Sequence, residues 1–162
     1  MFFSFNFIPV AKVNGEIVSY AEFLKVLGAM QTFDDVSGRT PADPDLLKAI
    51  ALAARIENIL LDDLVDENDA SIHDEARRVV DEAILATEGL NLTEAANALY
   101  SISAEDFVEL VLLPQAKKDL LANHFGDDQE RFTERLVGIY KVADVRVYYP
   151  GFAWEGGGII AK

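Results

Sequence analysis

The chain has 162 residues, about half of them apolar, enough to bury a real core and inconsistent with a disordered acidic tail. Lysine and arginine number 14 against 28 aspartates and glutamates, a formal net charge of -14, so the surface lacks the clustered basic groups that displace counterions from a nucleic-acid backbone. There is no cysteine, which removes disulfides, zinc-thiolate sites and a thiol nucleophile, and no apolar run approaches the roughly 18 residues needed to cross a bilayer.

Met1-Phe2-Phe3-Ser4-Phe5-Asn6-Phe7-Ile8 lacks the basic flank and small-residue cleavage site of a signal peptide. It reads as an edge strand with Phe3, Phe5 and Phe7 on one face, or as the remnant of a membrane anchor of a longer chain, and the period-two alternation favours the strand. Val10, Ala11 and Val13 suit a short strand, Asn14-Gly15 a tight hairpin turn and Ile17-Val18 the returning strand. Ser19 and Glu22 then form a capping box opening a helix from Tyr20 to Phe33. A polar loop follows, Asp34 to Ala42, broken by Gly38 and Pro41.

Asp43-Pro44 sets an N-cap with proline at the first helical position. Leu46, Leu47, Ile50, Ala53, Ala54, Leu60, Leu61 and Leu64 recur at helical spacing, while Leu52, Ile56 and Ile59 widen the apolar face. This spacing predicts a central helix contacted from several sides. Asp66-Glu67-Asn68-Asp69 interrupts it, and Ser71 with Asp74 reads as a second capping box for a helix running to Glu88 and stopping at Gly89. A short helix from Glu94 to Tyr100 is expected with Thr93 as its cap.

Ser103 caps a longer helix carrying Phe107, Leu110, Val111, Leu120 and Leu121, and Pro114 within it predicts a kink or break at Leu112-Leu113. A last helix, Asp128 to Ile139, precedes a strand in which Val145, Val147 and Tyr149 alternate with Arg146 and Tyr148, closed by Pro150-Gly151. A single strand needs a partner, and the N-terminal strand at Val10 to Val13, or the Phe3 to Phe7 segment, is the expected one. The fold class is therefore mainly α, a compact bundle of about five to six helices with a small antiparallel β element joining the N- and C-terminal strands. Residues 1-9 form an apolar N-terminal segment, 10-149 the helical domain with its terminal strands, and 150-162 a tail or linker in which Gly156-Gly157-Gly158 supplies flexibility.

No catalytic constellation emerges. His73 and His124 lie on different helices without metal or triad spacing and read as surface or boundary residues. The acidic run from Asp62 to Asp69 lacks the glycine of a calcium loop, and its twelfth position counted from Asp66 is Arg77 instead of glutamate. Weak calcium binding is the only metal reading it leaves, so no metal site and no cofactor are assigned. The three glycines have no lysine-serine or lysine-threonine after them and form no phosphate loop. Glu105 and Glu109 read as exposed helix residues. What stands out is Met30, Phe33, Tyr100, Phe152 and Trp154 at element ends, where they either plug the edges of the core or line a surface for apolar segments of another chain.

The opening V-A-K-V-N-G-E-I-V-S-Y-A-E-F resembles the start of the SurA/PrsA-type N-terminal chaperone domain, the module associated with parvulin isomerases in cell-envelope folding factors. The stretches D-P-D-L-L-K-A-I-A-L-A-A-R-I-E-N-I-L-L-D-D-L, S-I-H-D-E-A-R-R-V-V-D-E-A-I and L-N-L-T-E-A-A-N-A-L-Y-S-I-S-A-E-D-F-V-E-L-V-L-L-P-Q-A-K-K-D-L-L are similar to the family's following helices in the same order, from about Val10 to Phe125. The resemblance implies an ATP-independent, non-enzymatic helical module, extracytoplasmic or at the cell envelope, with unfolded or nascent proteins as partners; the client contacts expected from the placement of the residues themselves are Met30, Phe33, Tyr100, Phe152 and Trp154. It brings no isomerase activity, because the residues of a parvulin domain are absent. The alternative is a scaffold or assembly domain, a homodimer through the terminal strands, with a membrane anchor in a longer form of the chain.

Overall fold

The computed structural model describes residues 8–39, 43–87, 89, 91–126 and 129–162. The Phe3, Phe5 and Phe7 alternation lies outside them. The chain begins with a hairpin, β1 (Pro9–Val13) and β2 (Glu16–Ser19), whose register pairs Val13 with Glu16 and leaves a two-residue loop. Asn14 and Gly15 take φ of 47° and 103°, the positive values that match a tight turn to the twist of the strands. Asn14 then fixes the turn from both sides. Its Nδ2 donates to Asp63 Oδ2 at 2.7 Å, and its Oδ1 accepts from the Asp144 amide at 3.0 Å.

Helix α1 (Tyr20–Val36) follows without a gap. Ser19 Oγ accepts from the Glu22 amide at 3.2 Å, and Glu22 Oε2 accepts from the Ser19 amide at 2.8 Å, the reciprocal capping box expected from the sequence. The helix runs three residues past Phe33. Helix α2 (Pro44–Asn68) starts as read, with Asp43 Oδ1 accepting from the amides of Asp45 and Leu46. It carries on through Asp66 and Glu67, because Val65 on the same turn is buried.

Helix α3 (Ile72–Ala86) does not use Ser71 and Asp74 as a capping box. Ser71 already has helical angles, φ -65° and ψ -17°, and so cannot aim its hydroxyl at the first-turn amides. Asp69 takes over, its Oδ1 accepting from the Ser71 amide at 3.0 Å and from the Ser71 hydroxyl at 2.6 Å. In α4 (Leu92–Tyr100) the cap is Asn91, not Thr93: Asn91 Oδ1 accepts from the Glu94 amide at 3.1 Å.

Ser103 caps α5 (Ala104–Phe107) as expected. The backbone continues through a π-helical stretch, Val108–Leu112, into α6 (Leu113–His124). The kink or break expected at Leu112-Leu113 takes this other form. Both residues keep helical angles, and the Leu113 amide reaches back five residues to the Val108 carbonyl. Pro114 has no N–H to donate and its ring crowds the carbonyl four residues earlier. One wider turn ahead of the ring relieves that crowding without ending the helix.

Helix α7 (Gln129–Val142) leads to β3 (Val145–Val147), which pairs antiparallel with β1 in the register Ala11 to Val147 and Val13 to Val145. The strand order β2-β1-β3 joins the two ends of the chain. Residues 150–162 are not a flexible tail. They form a second hairpin, β4 (Phe152–Glu155) and β5 (Gly158–Ala161). Gly156 and Gly157 take φ of 63° and 92° at its turn, and a Cβ on Gly157 would stand 3.2 Å from Tyr140 Cβ. The glycines make a turn and a close approach here, not a linker.

The fold is thus mainly helical, with six helical runs among the described residues if α5, the π stretch and α6 count as one. Helix α2, about 37 Å long at 1.5 Å per residue, is the axis. Its first half packs with β1, β2, α1 and Phe152 around Phe23, Leu52, Ile56 and Leu60. Its second half packs Leu61, Leu64 and Val65 against Ile72, Leu121 and Phe132. A smaller cluster of Ala76, Val80 and Leu113 holds α3 to α6.

Candidate functional site

Helix α3 packs on α6, while α4 packs on α1 and α5. Between α3 and α4 an apolar groove of about 620 Å³ remains. Its α3 wall is Val79, Val80, Ala83 and Ile84, its α4 wall Leu92, Ala95 and Leu99, and its floor Phe107, Leu112, Ala116 and Leu120. Polar side chains sit at Thr87, Gln115, Asp119 and Asn123. Val79 keeps 36% and Leu99 39% of its surface exposed, so both can be covered further. From Leu112 to Asn123 the floor extends about 17 Å along α6, room for about three helical turns or about five extended residues.

Each wall follows from helical spacing. Leu92, Ala95 and Leu99 recur at three and four residues and share one face of α4. Val80, Ala83 and Ile84 do the same on α3, whose opposite face is charged: Arg78 pairs with Glu75 and Glu82 on its own helix.

The five aromatic and methionine residues singled out from sequence divide into two groups. Phe33 and Tyr100 stack with ring centroids 5.1 Å apart and nearly parallel planes, and Tyr100 meets Phe107 at 5.2 Å. This row runs from the C-terminal end of α1 to the groove floor, and the Arg39 guanidinium lies 5.3 Å from the centre of the Phe33 ring. Phe152 and Trp154 belong instead to the second hairpin. Phe152 is buried beside Tyr149, with centroids 5.9 Å apart, and the Trp154 indole N–H donates to the Tyr140 carbonyl at 3.2 Å. Met30 packs against the same core cluster as these two.

The groove residues themselves, Val79, Leu92, Ala95, Leu99 and Leu112, were not singled out from sequence. The available signal was an apolar stripe at helical spacing on each of α3 and α4, which does not by itself tell a covered face from an open one. His73 Nε2 lies 2.9 Å from Asp66 Oδ1, and the His124 ring stands edge-on to Phe125. Among the described residues no group of three or more histidine, aspartate or glutamate side chains is placed to hold a metal ion. Among the described residues no helix is long and apolar enough to cross a membrane. Neither protein-family models nor curated proteins nor solved structures match the chain.

Proposed function

We propose that this chain is an ATP-independent, chaperone-like module that holds apolar stretches of unfolded or partly folded proteins in the groove between α3, α4 and α6. The observation that carries the reading is that groove: about 620 Å³, lined mainly by aliphatic side chains, with Val79 and Leu99 each more than one-third exposed. A groove of this make-up suits the apolar face of a short client helix or an extended apolar stretch. The net charge of -14 and Asp119 on the lining favour apolar stretches flanked by lysine or arginine, through faster encounter and rejection of acidic chains. The sequence resemblance to SurA/PrsA-type chaperone domains supports the same reading and brings an extracytoplasmic location with it. Of the residues expected to meet clients, Phe33 and Tyr100 connect to the groove through Phe107.

The test is a titration of a labelled, permanently unfolded client with the domain, read by anisotropy and paired with suppression of client aggregation. Saturable binding without nucleotide, weakened by salt and by acidic substitutions in the client, is the expected result. No saturation at any accessible concentration removes the reading. Trp154 is a reporter of the C-terminal hairpin, because its N–H is tied to Tyr140. The assembly alternative rests on the two outer strands of the sheet, β3 and β2, where Ile17 is 55% exposed, since β1 is paired on both sides within one chain. A sedimentation mass that rises with concentration would favour it.

A further inference from the structure

The apolar groove also constrains the backbone of whatever fills it. Its three sides are helix flanks, residues 79–84 of α3, 92–99 of α4 and 112–123 of the run into α6, so their N–H and C=O groups point along the helix axes and not across the groove. An extended segment laid there would press part of its own backbone against aliphatic side chains that have nothing to bond it. A helical segment bonds its backbone internally and presents side chains alone. The relief of the groove suits that shape. Ala95 stands between Leu92 and Leu99, and Ala116 between Leu112 and Leu120, each about one turn from its neighbours. These alanines are notches between larger residues, the surface into which the side-chain ridges of a second helix pack.

Charge distinguishes the two flanks of such a helix. Beside the floor, Gln115, Asp119 and Asn123 recur every four residues on α6 and form a polar line along the groove. Asp119 is the one charged side chain among the described residues of the lining. Its Oδ1 accepts from Gln115 Nε2 at 2.8 Å, and no cation among the described residues pairs with it. The neighbouring cations are engaged elsewhere: Lys117 with Asp62 in a charged cleft between α1, α2 and the α5 to α6 run, Lys118 beside Glu57, Arg77 with Glu109, and Arg78 with Glu75 and Glu82. The Asp119 carboxylate is therefore open to a cation carried by the occupant.

Resting on the client-groove reading, we propose that the segments held there are amphipathic helices, with an apolar stripe at i, i+4, i+7 and i+11 seated along Leu112, Ala116 and Leu120 and a lysine or arginine on the flank that faces Asp119. About three turns fill the floor of about 17 Å. An unfolded client is then held through stretches that turn helical as they bind, and a stretch of period-two alternation is held weakly.

The experiment titrates the whole chain into labelled, end-capped peptides of about 15 residues, long enough for the floor, and reads anisotropy. The first peptide has leucine at i, i+4, i+7 and i+11 with lysine beside the stripe. The second has the same residues reordered to period-two alternation, and the third is the first with glutamate in place of lysine. The first is expected to bind about fivefold or more tighter than the second, the cost of one unmet backbone group, with its carbon-13 shifts moving to helical values on binding. It is expected to bind about twofold to fivefold tighter than the third, the worth of an exposed ion pair. Asp119→Asn is expected to shrink the lysine preference and leave the first factor unchanged. The permanently unfolded client is titrated alongside. If the client binds while no peptide does, or the first two peptides bind equally or in reverse order, or the bound first peptide gains no helix, the helical assignment is overturned and the groove reading stands. If neither the client nor any peptide binds, both fall. A lysine preference that Asp119→Asn leaves unchanged overturns the placement of the basic flank.

Discussion

The proposed client binding in the groove is tested most directly at the apolar surface that remains open at Val79 and Leu99. Fully burying a valine or leucine side chain contributes about 1.5–3 kcal/mol. Leu99 retains 39% of its surface and Val79 36%, so a client that covers both gains about 1–2 kcal/mol from the pair. The double variant Val79→Thr with Leu99→Gln places a hydroxyl and an amide there without changing size greatly. Client Kd is expected to rise about fivefold to thirtyfold, while stability falls by no more than about 1 kcal/mol, because both polar groups reach water. The assay is anisotropy of the labelled client, with urea unfolding measured on the same preparations. Val142→Thr is the control, since Val142 is 82% exposed and not on the groove lining. An unchanged Kd in a folded double variant refutes the assignment, and an equal loss in Val142→Thr shows that binding is diffuse.

Phe152→Ala is expected to cost about 3–5 kcal/mol, because Phe152 is 7% exposed and packs on Tyr149 in the main core; an unchanged urea midpoint would mean that the second hairpin does not hold its place. Glu57→Gln is expected to stabilise the protein at pH 7. Burial raises the Glu57 carboxyl above its ordinary value of 4.5 despite the nearby Lys118, so its ionised form weakens the fold at neutral pH. That penalty fades as pH falls through the raised value and is gone below 4.5; a gain that persists at lower pH would show a cause other than ionisation. The same substitution removes a negative charge near Tyr140, whose hydroxyl burial and Glu57 together push up to about 12, so an ultraviolet titration should find Tyr140 ionising at lower pH in the variant. Asn91→Ala is expected to cost about 1 kcal/mol and Thr93→Ala less than about 0.5, and the reverse order in thermal unfolding would return the cap of α4 to Thr93.

The parts of this fold that were legible in the sequence are those where a local rule and the tertiary structure agree. Asn14-Gly15 demands positive φ, Ser19 and Glu22 are three residues apart, and Asp43 precedes proline, so each feature declares itself within a few residues. The missed caps were cases of two candidates in one stretch. Asp69 wins over Ser71 because Ser71 already has helical angles, and Asn91 over Thr93 because α4 begins at Leu92, which leaves Thr93 inside its first turn. The C-terminal hairpin was hidden for a different reason. Gly156 and Gly157 have the composition of a linker, and only the packing of Phe152 and Trp154 on the main core, with Tyr140 beside Gly157, makes them a turn. The groove was illegible because an apolar stripe looks alike whether a neighbouring helix covers it or leaves it open.

The π stretch before Pro114 connects these observations. In a regular α-helix Phe107 and Leu112, five residues apart, would point about 140° away from each other. A wide turn with bonds spanning five residues brings them onto one face, and both line the groove floor. From Leu112 onward ordinary spacing adds Ala116 and Leu120 to the same line, so that the floor is continuous from α5 into α6. Glu109, Leu110 and Pro114 meanwhile face the charged cleft against α1 and α2. One proline therefore sets which side chains of this helical run belong to the apolar groove and which to the polar cleft. With a hydrogen-bond donor at that position and a regular α-helical register, Phe107 would leave the groove, and the link through Tyr100 to Phe33 would go with it.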